Sequence, residues 1–404
     1  MFHVVNRSMG RGEEDFPTPT RVLALLLLLL FALVVSSPSP FVLCTPPMLR
    51  LSRAVRGVLC DSPGDVSTLR FTALPPQMLP SVTPTSVVIR VHAAGVNRAD
   101  TLQRKGRYPP PPGETDVLGM EVAGVVVEVG DAVSQFQVGD RVMALLASGG
   151  YAEECVADYR QVLPIPEHWS FVHAAAIPEI FVTANEMLME MGGLKSGQDV
   201  LIHAGASGVG STAIQMALYT NSRHIFATCG SAEKCNALQD LVADFKQRNP
   251  SCESVFHCIN YKEEKFEDIV TAAGGVDVVL DFIGAAYLQR NLQSLKPWGT
   301  LSVVGLMGGR SAELDLGLLL RKKLTVCGAV LRSRSPDEKA EAVQRFQTRW
   351  LPLLEQGIVS PLIDSTFVIE DAGAAHQHVE ENKNIGKVLL LLPTEEDTEG
   401  KQEL

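Results

Sequence analysis

A chain of 404 residues that is 46% apolar holds material for about two packed domains, and its formal net charge of −11 argues against sequence-independent nucleic-acid binding. Aromatic residues are few and glycine and proline frequent, as in α/β proteins with many tight turns. The eight cysteines show no C-x-x-C and no paired spacing, so buried thiols are expected rather than a disulfide framework or a structural zinc knot.

In chain order, residues 1–47 come first as a signal-like or anchor segment with a linker. Val22 to Val35 is a 14-residue apolar run with six consecutive leucines, preceded by Arg21 and, further upstream, Arg7 and Arg11. A spanning helix needs about 20 residues, so the run fits the apolar stretch of a secretory signal peptide better. The prolines of Ser36-Ser-Pro-Ser-Pro40 make a poor cleavage site; an uncleaved anchor, or a start at Met48, is the alternative.

Residues 48–177 look β-rich. Val87-Val-Ile-Arg-Val91 alternates and is β-branched, Val122-Ala-Gly-Val-Val-Val-Glu-Val129 reads as a buried strand before a Gly-Asp turn, and Gly139-Asp-Arg-Val-Met143 opens another strand. Short strands with glycine turns suggest a partly closed β domain.

After Pro178 the pattern changes. Phe181 to Met191 reads as a helix. Strands at 199–204, 224–229, 276–281 and 300–305 then alternate with helices at 210–219, 232–246 and 285–294, which predicts a doubly wound parallel sheet over 178–331. Asp199-Val-Leu-Ile-His-Ala-Gly-Ala-Ser-Gly-Val-Gly210 is a buried strand, a glycine-rich turn and a helix start, the order of a dinucleotide phosphate site. Gly205 and Gly210 hold the first and last places of G-x-G-x-x-G; Ser207 replaces the middle glycine and Gly208 stands beside it. The free N–H groups of such a helix start meet negative charge.

The next strand ends in Cys229, followed by Gly230-Ser-Ala-Glu-Lys234. A carboxylate there would bind a ribose 2′-hydroxyl. Gly230 and Ser231 stand in its place and Lys234 follows, which suits a 2′-phosphate and so NADPH. Glu233, at a helix start, favours the dipole instead.

From residue 332 the alternation ends. Residues 336–356 read as one long helix, and Phe367-Val-Ile-Glu370 and Lys387-Val-Leu-Leu-Leu391 as strands with a helix between; 332–393 is assigned back to the first domain. The tail, 394–404, holds five acids and one lysine and ends in Lys401-Gln-Glu-Leu404, which resembles the Lys-Asp-Glu-Leu retention signal. With the N-terminal run this points to the endoplasmic reticulum lumen; the alternative is a cytoplasmic protein with an acidic tail.

Ten motifs together resemble the medium-chain dehydrogenase/reductase family, in its quinone oxidoreductase branch. They are Gly95-Val-Asn-Arg-Ala-Asp100, Gln103-Arg-Lys-Gly-Arg-Tyr108, Pro110-Pro-Pro-Gly113, Leu118-Gly-Met-Glu-Val-Ala-Gly124, Ala174-Ala-Ala-Ile-Pro-Glu179, the glycine turn, Ile259-Asn-Tyr261, Gly305-Leu-Met-Gly-Gly309, Leu331-Arg-Ser-Arg334 and Glu381-Asn-Lys-Asn-Ile-Gly-Lys387. The pattern is most similar to the quinone oxidoreductase-like proteins induced by the p53 tumour suppressor. The resemblance implies a GroES-like β-rich catalytic domain joined to a Rossmann doubly wound domain, with NADPH across the cleft between them.

Zinc alcohol dehydrogenases of the superfamily carry cysteine where Asn97 stands and Gly-His-Glu where this chain has Gly119-Met120-Glu121. A catalytic zinc needs three protein ligands around an open position, and Asn97 and Met120 withhold two; the four-cysteine structural loop is absent as well. His376 and His378, two apart with no third ligand near in sequence, are expected to be solvated helix histidines. No metal is expected, so the substrate should accept hydride without a Lewis acid, as a quinone or a conjugated enone does.

By resemblance, Gly205, Ser207, Gly208, Val209 and Gly210 hold the pyrophosphate, and Ser231, Lys234 and Tyr261 surround the 2′-phosphate and adenosine. Gly305, Leu306, Met307, Gly308, a strand at Val330, Leu331 and Arg332, and Asn384 line the nicotinamide end. Asn97, Tyr108 and Thr183 lie near nicotinamide and substrate. Tyr108 orients a carbonyl or serves as an aromatic lid. Glu121 and Glu179 read as structural carboxylates at a helix end or behind the site, and the proton is expected from water. The stretch between Lys234 and Tyr261 is about a dozen residues longer than the family's; its Lys246 and Arg248 either assist the phosphate or lie on a surface loop. The expected activity is NADPH-dependent quinone reduction by a homodimer, with enone or enoyl reduction, or idle NADPH binding, as alternatives.

Overall fold

The computed structural model describes residues 54–393. The leucine run, Met48 and the C-terminal tetrapeptide lie outside the described residues, so the localisation they suggest has no structural counterpart. Among the described residues no helix is long and apolar enough to cross a membrane.

Two large sheets organise the chain. The first is seven-stranded in the order β14-β15-β3-β4-β5-β7, with β6 pairing β3. Its strands are β3 (Ser86–Val96), β4 (Glu121–Val129), β5 (Arg141–Leu145), β6 (Glu154–Asp158), β7 (Val162–Pro164), β14 (Ile363–Val368) and β15 (Lys387–Leu391). A hairpin-like pair, β1 (Arg56–Cys60) and β2 (Leu69–Ala73), stands apart as a two-stranded antiparallel sheet. The helix after β3, α1 (Arg98–Arg104), and a late helix, α11 (Ala372–Glu380), pack against each other.

The second sheet is six-stranded and wholly parallel. Its strands β8 (Val200–Ile202), β9 (His224–Cys229), β10 (Val255–Asn260), β11 (Val276–Asp281), β12 (Leu295–Val303) and β13 (Thr325–Gly328) lie in the order β10-β9-β8-β11-β12-β13. Counted from β8 this is 3-2-1-4-5-6, the order whose switch point between first and fourth strands receives a dinucleotide. Val200, Leu201 and Ile202 are all buried, as expected for a parallel strand covered on both faces. One hydrophobic cluster runs from Ala93, Ala123 and Met143 of the antiparallel sheet through Ile180 and Phe181 to Val200 and Ile202 of the parallel one.

Three differences from the sequence reading have local causes. The helix expected at 181–191 starts at Pro178, which suits the first helical position; its first turns are α2 (Pro178–Ala184) and its remainder, Asn185–Met191, is a π-helix. The helix expected over 336–356 is two, α9 (Pro336–Arg349) and α10 (Leu351–Glu355), because Pro352 has no N–H to continue the ladder and Trp350 turns inward, fully buried. Val330, Leu331 and Arg332 form no strand; the last strand of the parallel sheet ends at Gly328.

The extra length before Tyr261 also resolves. Between Lys234 and Tyr261 the chain forms α5 (Ala232–Arg248), a short link and β10. Lys246 donates to Ser254 O at 2.5 Å, and Arg248 to the carbonyls of Asp244 and Gly357. At about 1.5 Å per helical residue both lie roughly 18–21 Å along the helix from Lys234, so neither assists a phosphate bound at its start.

Candidate active site

The glycine turn is built for close approach. Ala204 adopts a left-handed conformation (φ 48°), and a Cβ on Gly210 would collide with the Ala204 carbonyl and the Gly205 backbone. A Cβ on Gly205 would press on Ala227 of β9. The helix α4 (Gly208–Tyr219) thus starts hard against β8, with Ser207 as its N-cap accepting the Gly210 N–H at 3.1 Å. The N–H groups of Gly208 and Val209 stand in the first turn, where a helix offers no internal acceptor. This turn fits a pyrophosphate.

At the end of β9, Ser231 caps α5 by accepting the Lys234 N–H at 3.3 Å, and no carboxylate stands at 230 or 231. A Cβ on Gly230 would meet the Tyr261 hydroxyl at 2.6 Å, so the glycine lets Tyr261 lie against this corner. Lys234 donates to Asn382 O at 2.6 Å. Ser231, Lys234 and Tyr261 are therefore brought together.

Across the switch point, Asp281 at the end of β11 accepts the N–H groups of Ile283 at 2.7 Å and Gly284 at 3.0 Å. The loop after β12 docks on it: Met307 N–H reaches Phe282 O at 3.2 Å and Gly308 N–H reaches Ile283 O at 2.7 Å. Leu306 and Met307 are left half exposed. Asn384 donates to Gly386 O at 2.7 Å, and Gly386 N–H reaches Ala206 O at 2.8 Å, so the segment before β15 lies on the glycine turn.

That segment carries Lys387 into the cleft. Its ammonium donates to Asn97 Oδ1 at 2.6 Å and pairs with Glu121 Oε1; both charged side chains are buried. Asn97 Nδ2 also donates to Glu121 Oε1 at 2.9 Å, and Glu121 Oε2 accepts the Glu179 N–H at 2.9 Å. Asn97 and Glu121 are thus saturated by a cation and by amides. Met120, between Gly119 and Glu121, is buried.

Glu179 lies in the first turn of α2, and Thr183 donates to its Oε1 at 3.3 Å. Burial and the neighbouring Glu121 carboxylate push Glu179 up to about 7. Tyr108 is pushed up to about 12 by burial and by Glu179. The Arg332 guanidinium lies 5.2 Å from the Tyr108 ring centre and donates to Ala147 O at 2.6 Å, to Gln103 Oε1 at 2.5 Å and to Tyr108 O at 3.3 Å. Arg332 is therefore a strut from the parallel-sheet side that sets Tyr108. Leu331 packs in the core and Val330 is exposed. The buried Ser148 hydroxyl, next to Ala147, has no partner among the described residues.

A buried chain supports this cluster. Asp100 accepts from Asn97 N at 2.8 Å, Gly119 N at 3.1 Å and the Tyr151 hydroxyl at 3.3 Å, and burial pushes it up to about 6. Tyr151 in turn meets His376 Nε2 at 3.3 Å, and Arg104 meets His376 Nδ1 at 3.4 Å. His376 is fully buried, and burial first, then Arg104, lowers it to about 3. His378 pairs with Asp364 at 2.8 Å. The expectation of a solvated histidine is corrected for His376: Ala372, Ala375, His376 and Val379 share one helical face, and that face is buried, while His378 stays partly exposed.

Sequence reasoning grouped Asn97, Thr183 and Tyr108 but did not weigh Lys387, Asp100 or Ser148. The available signal was a lysine opening the apolar strand Val388-Leu-Leu-Leu391 immediately after a glycine.

Comparison with known proteins accords with this geometry. Residues 83–167 match the alcohol dehydrogenase GroES-like domain and residues 208–348 the zinc-binding dehydrogenase domain. The synaptic vesicle membrane protein VAT-1 homolog of Rattus norvegicus is 34% identical over 341 residues, covering 80% of this chain and 81% of its own. Quinone oxidoreductase-like protein 2 of Bos taurus is 32% identical, covering 77% and 86%. Among solved structures, Escherichia coli quinone oxidoreductase complexed with NADPH aligns with a TM-score of 0.71 at 26% identity over 84% of this chain and 100% of that one. The CurK enoyl reductase aligns with 0.70 at 26% identity, over 84% and 100%. The chain belongs to the medium-chain dehydrogenase/reductase family and has quinone oxidoreductase-like homologues.

Proposed function

We propose that this oxidoreductase transfers hydride from NADPH to quinones or related electrophilic carbonyls without a catalytic zinc. The observation that carries the reading is the Lys387 ammonium held between Asn97 and Glu121. Where the zinc enzymes of the family carry a cysteine ligand, this chain has Asn97, which with Glu121 encloses a cation supplied by the chain itself. A substrate that needs no Lewis acid follows from that.

The cofactor supplies the hydride; the chain supplies orientation and a dry, polar wall. Gly205 to Gly210 hold the pyrophosphate, Ser231, Lys234 and Tyr261 the 2′-phosphate end, and Asn97, Thr183, the Gly305–Gly308 loop, the 330–332 segment and Asn384 the nicotinamide end. Tyr108, a phenol that stays protonated throughout the neutral range, donates a hydrogen bond to the carbonyl being reduced. Glu179 is partly protonated near neutrality and is hydrogen-bonded to Thr183, so it holds a proton at the cleft wall.

A second reading, reduction of a conjugated enone or enoyl thioester, is supported by the likeness to an enoyl reductase reported above. Purified protein assayed with NADPH against 1,4-naphthoquinone and against a 2-enoyl thioester separates the two. Faster turnover of the quinone is expected; turnover of the thioester alone selects the second reading, and NADPH binding with no turnover marks an idle binder. A homodimer is also proposed: β13 is the edge of the parallel sheet, and Val326, Leu316, Leu320 and Trp298 are exposed on β12, β13 and the helix between them.

A further inference from the structure

The thiols of Cys229, Cys235 and Cys258 converge beside the adenosine end of the cleft and take no part in the proposed reaction. Their sulfurs are 3.1 Å apart for Cys229 and Cys235, 3.5 Å for Cys229 and Cys258, and 2.8 Å for Cys235 and Cys258. Cys229 ends β9, Cys258 lies in β10, and Cys235 lies in the first turns of α5, above the same face of the sheet. No histidine or carboxylate joins the three among the described residues.

The strand register bears on what such a cluster is for. Cys258 pairs with Ala227, two residues before Cys229. Diagonal neighbours of this kind have Cα atoms about 7–8 Å apart, beyond the reach of roughly 6.8 Å for an unstrained disulfide. Cys229 and Cys258 meet through the length of their side chains, as ligands of a shared ion do.

We propose that Cys229, Cys235 and Cys258 form a three-thiolate site for a soft cation, Cu(I). Soft thiolates select Cu(I) and zinc among the common metals. Zinc at a structural site takes four ligands, and here the chain offers three, which suits the lower coordination of Cu(I). Sulfurs about 2.3 Å from a central ion stand roughly 3.8–4.0 Å from one another. The present edges must open by about 1 Å or less on average, which side-chain rotation of the part-exposed Cys235 and Cys258 provides. Each thiol gives up its proton as the ion binds. Lys234, whose charge reaches Cys229, offsets part of the negative charge.

The test is anaerobic titration of the reduced full chain with Cu(I) in competition with bicinchoninate. The expected result is retention of one tightly held ion, weakened at least about tenfold by Cys229→Ser, Cys235→Ser or Cys258→Ser. Cys60→Ser and Cys252→Ser, whose thiols lie elsewhere, are expected to bind as the parent does. Circular dichroism of the apoproteins checks folding, and Cys235→Ser on a partly exposed helical position decides the matter should a strand variant fail to fold. Failure of the parent protein to hold Cu(I) against the chelator overturns the site. So does undiminished binding by the folded serine variants.

Discussion

The Lys387 ammonium donates to Asn97 Oδ1 at 2.6 Å across 290 positions of sequence, and the same ammonium pairs with Glu121. One contact thereby ties β15 to the first helix and to the start of β4. Removing one partner of a buried pair leaves an uncompensated charge, at a cost of about 3–5 kcal/mol. Lys387→Met is expected to lower unfolding stability by about that amount in urea melts, and Lys387→Met with Glu121→Gln to recover part of it. Equal stability of parent and single variant contradicts a closed ion pair.

Glu179 predicts a pH dependence of definite sign. Its pKa is raised in the fold from the usual carboxylate value to about 7, so the folded state holds its proton more tightly than the unfolded chain does. The stability this contributes is complete below about pH 4 and is lost as pH rises through 7. Between about pH 5 and 7 the parent is expected to lose stability relative to Glu179→Gln, the loss levelling off above that range. The difference between the two proteins isolates Glu179 from histidines and thiols that titrate over the same range. A difference that stays constant across the window contradicts the raised value.

The proposed preference for NADPH rests on Lys234. Lys234→Ala is expected to raise the KM for NADPH by roughly 10- to 100-fold, the loss of one charge-assisted hydrogen bond, with little change for NADH. Equal changes for both cofactors contradict its assignment to the 2′-phosphate.

Tyr108 and Arg332 separate orientation from support. Tyr108→Phe keeps the ring under the guanidinium and removes the donor, so kcat is expected to fall while NADPH affinity holds. Arg332→Lys cannot span Ala147 O, Gln103 and Tyr108 O from one planar fork. It is expected to lower both kcat and thermal stability. Unchanged kcat in Tyr108→Phe marks the ring as a lid alone.

The α/β class and the glycine turn were legible because they are local: continuous apolar strands alternate with helical periods, and Gly205 to Gly210 carry their own geometry. What stayed hidden depends on distant partners. Nothing near Lys387 announces Asn97, and nothing near Arg332 announces Tyr108. The three cysteines were invisible as a group because β9, α5 and β10 must fold before their sulfurs meet, and no spacing rule spans that crossover. His376 was readable from its helical face but was judged by its spacing to His378 instead.

The central claim, hydride transfer from NADPH to a quinone without catalytic zinc, is tested most directly by steady-state oxidation of NADPH with 1,4-naphthoquinone, using protein dialysed against a zinc chelator and the same protein resupplied with zinc. Equal turnover before and after zinc is the predicted result. Turnover that vanishes on chelation and returns with zinc, or no turnover of any quinone, contradicts the account.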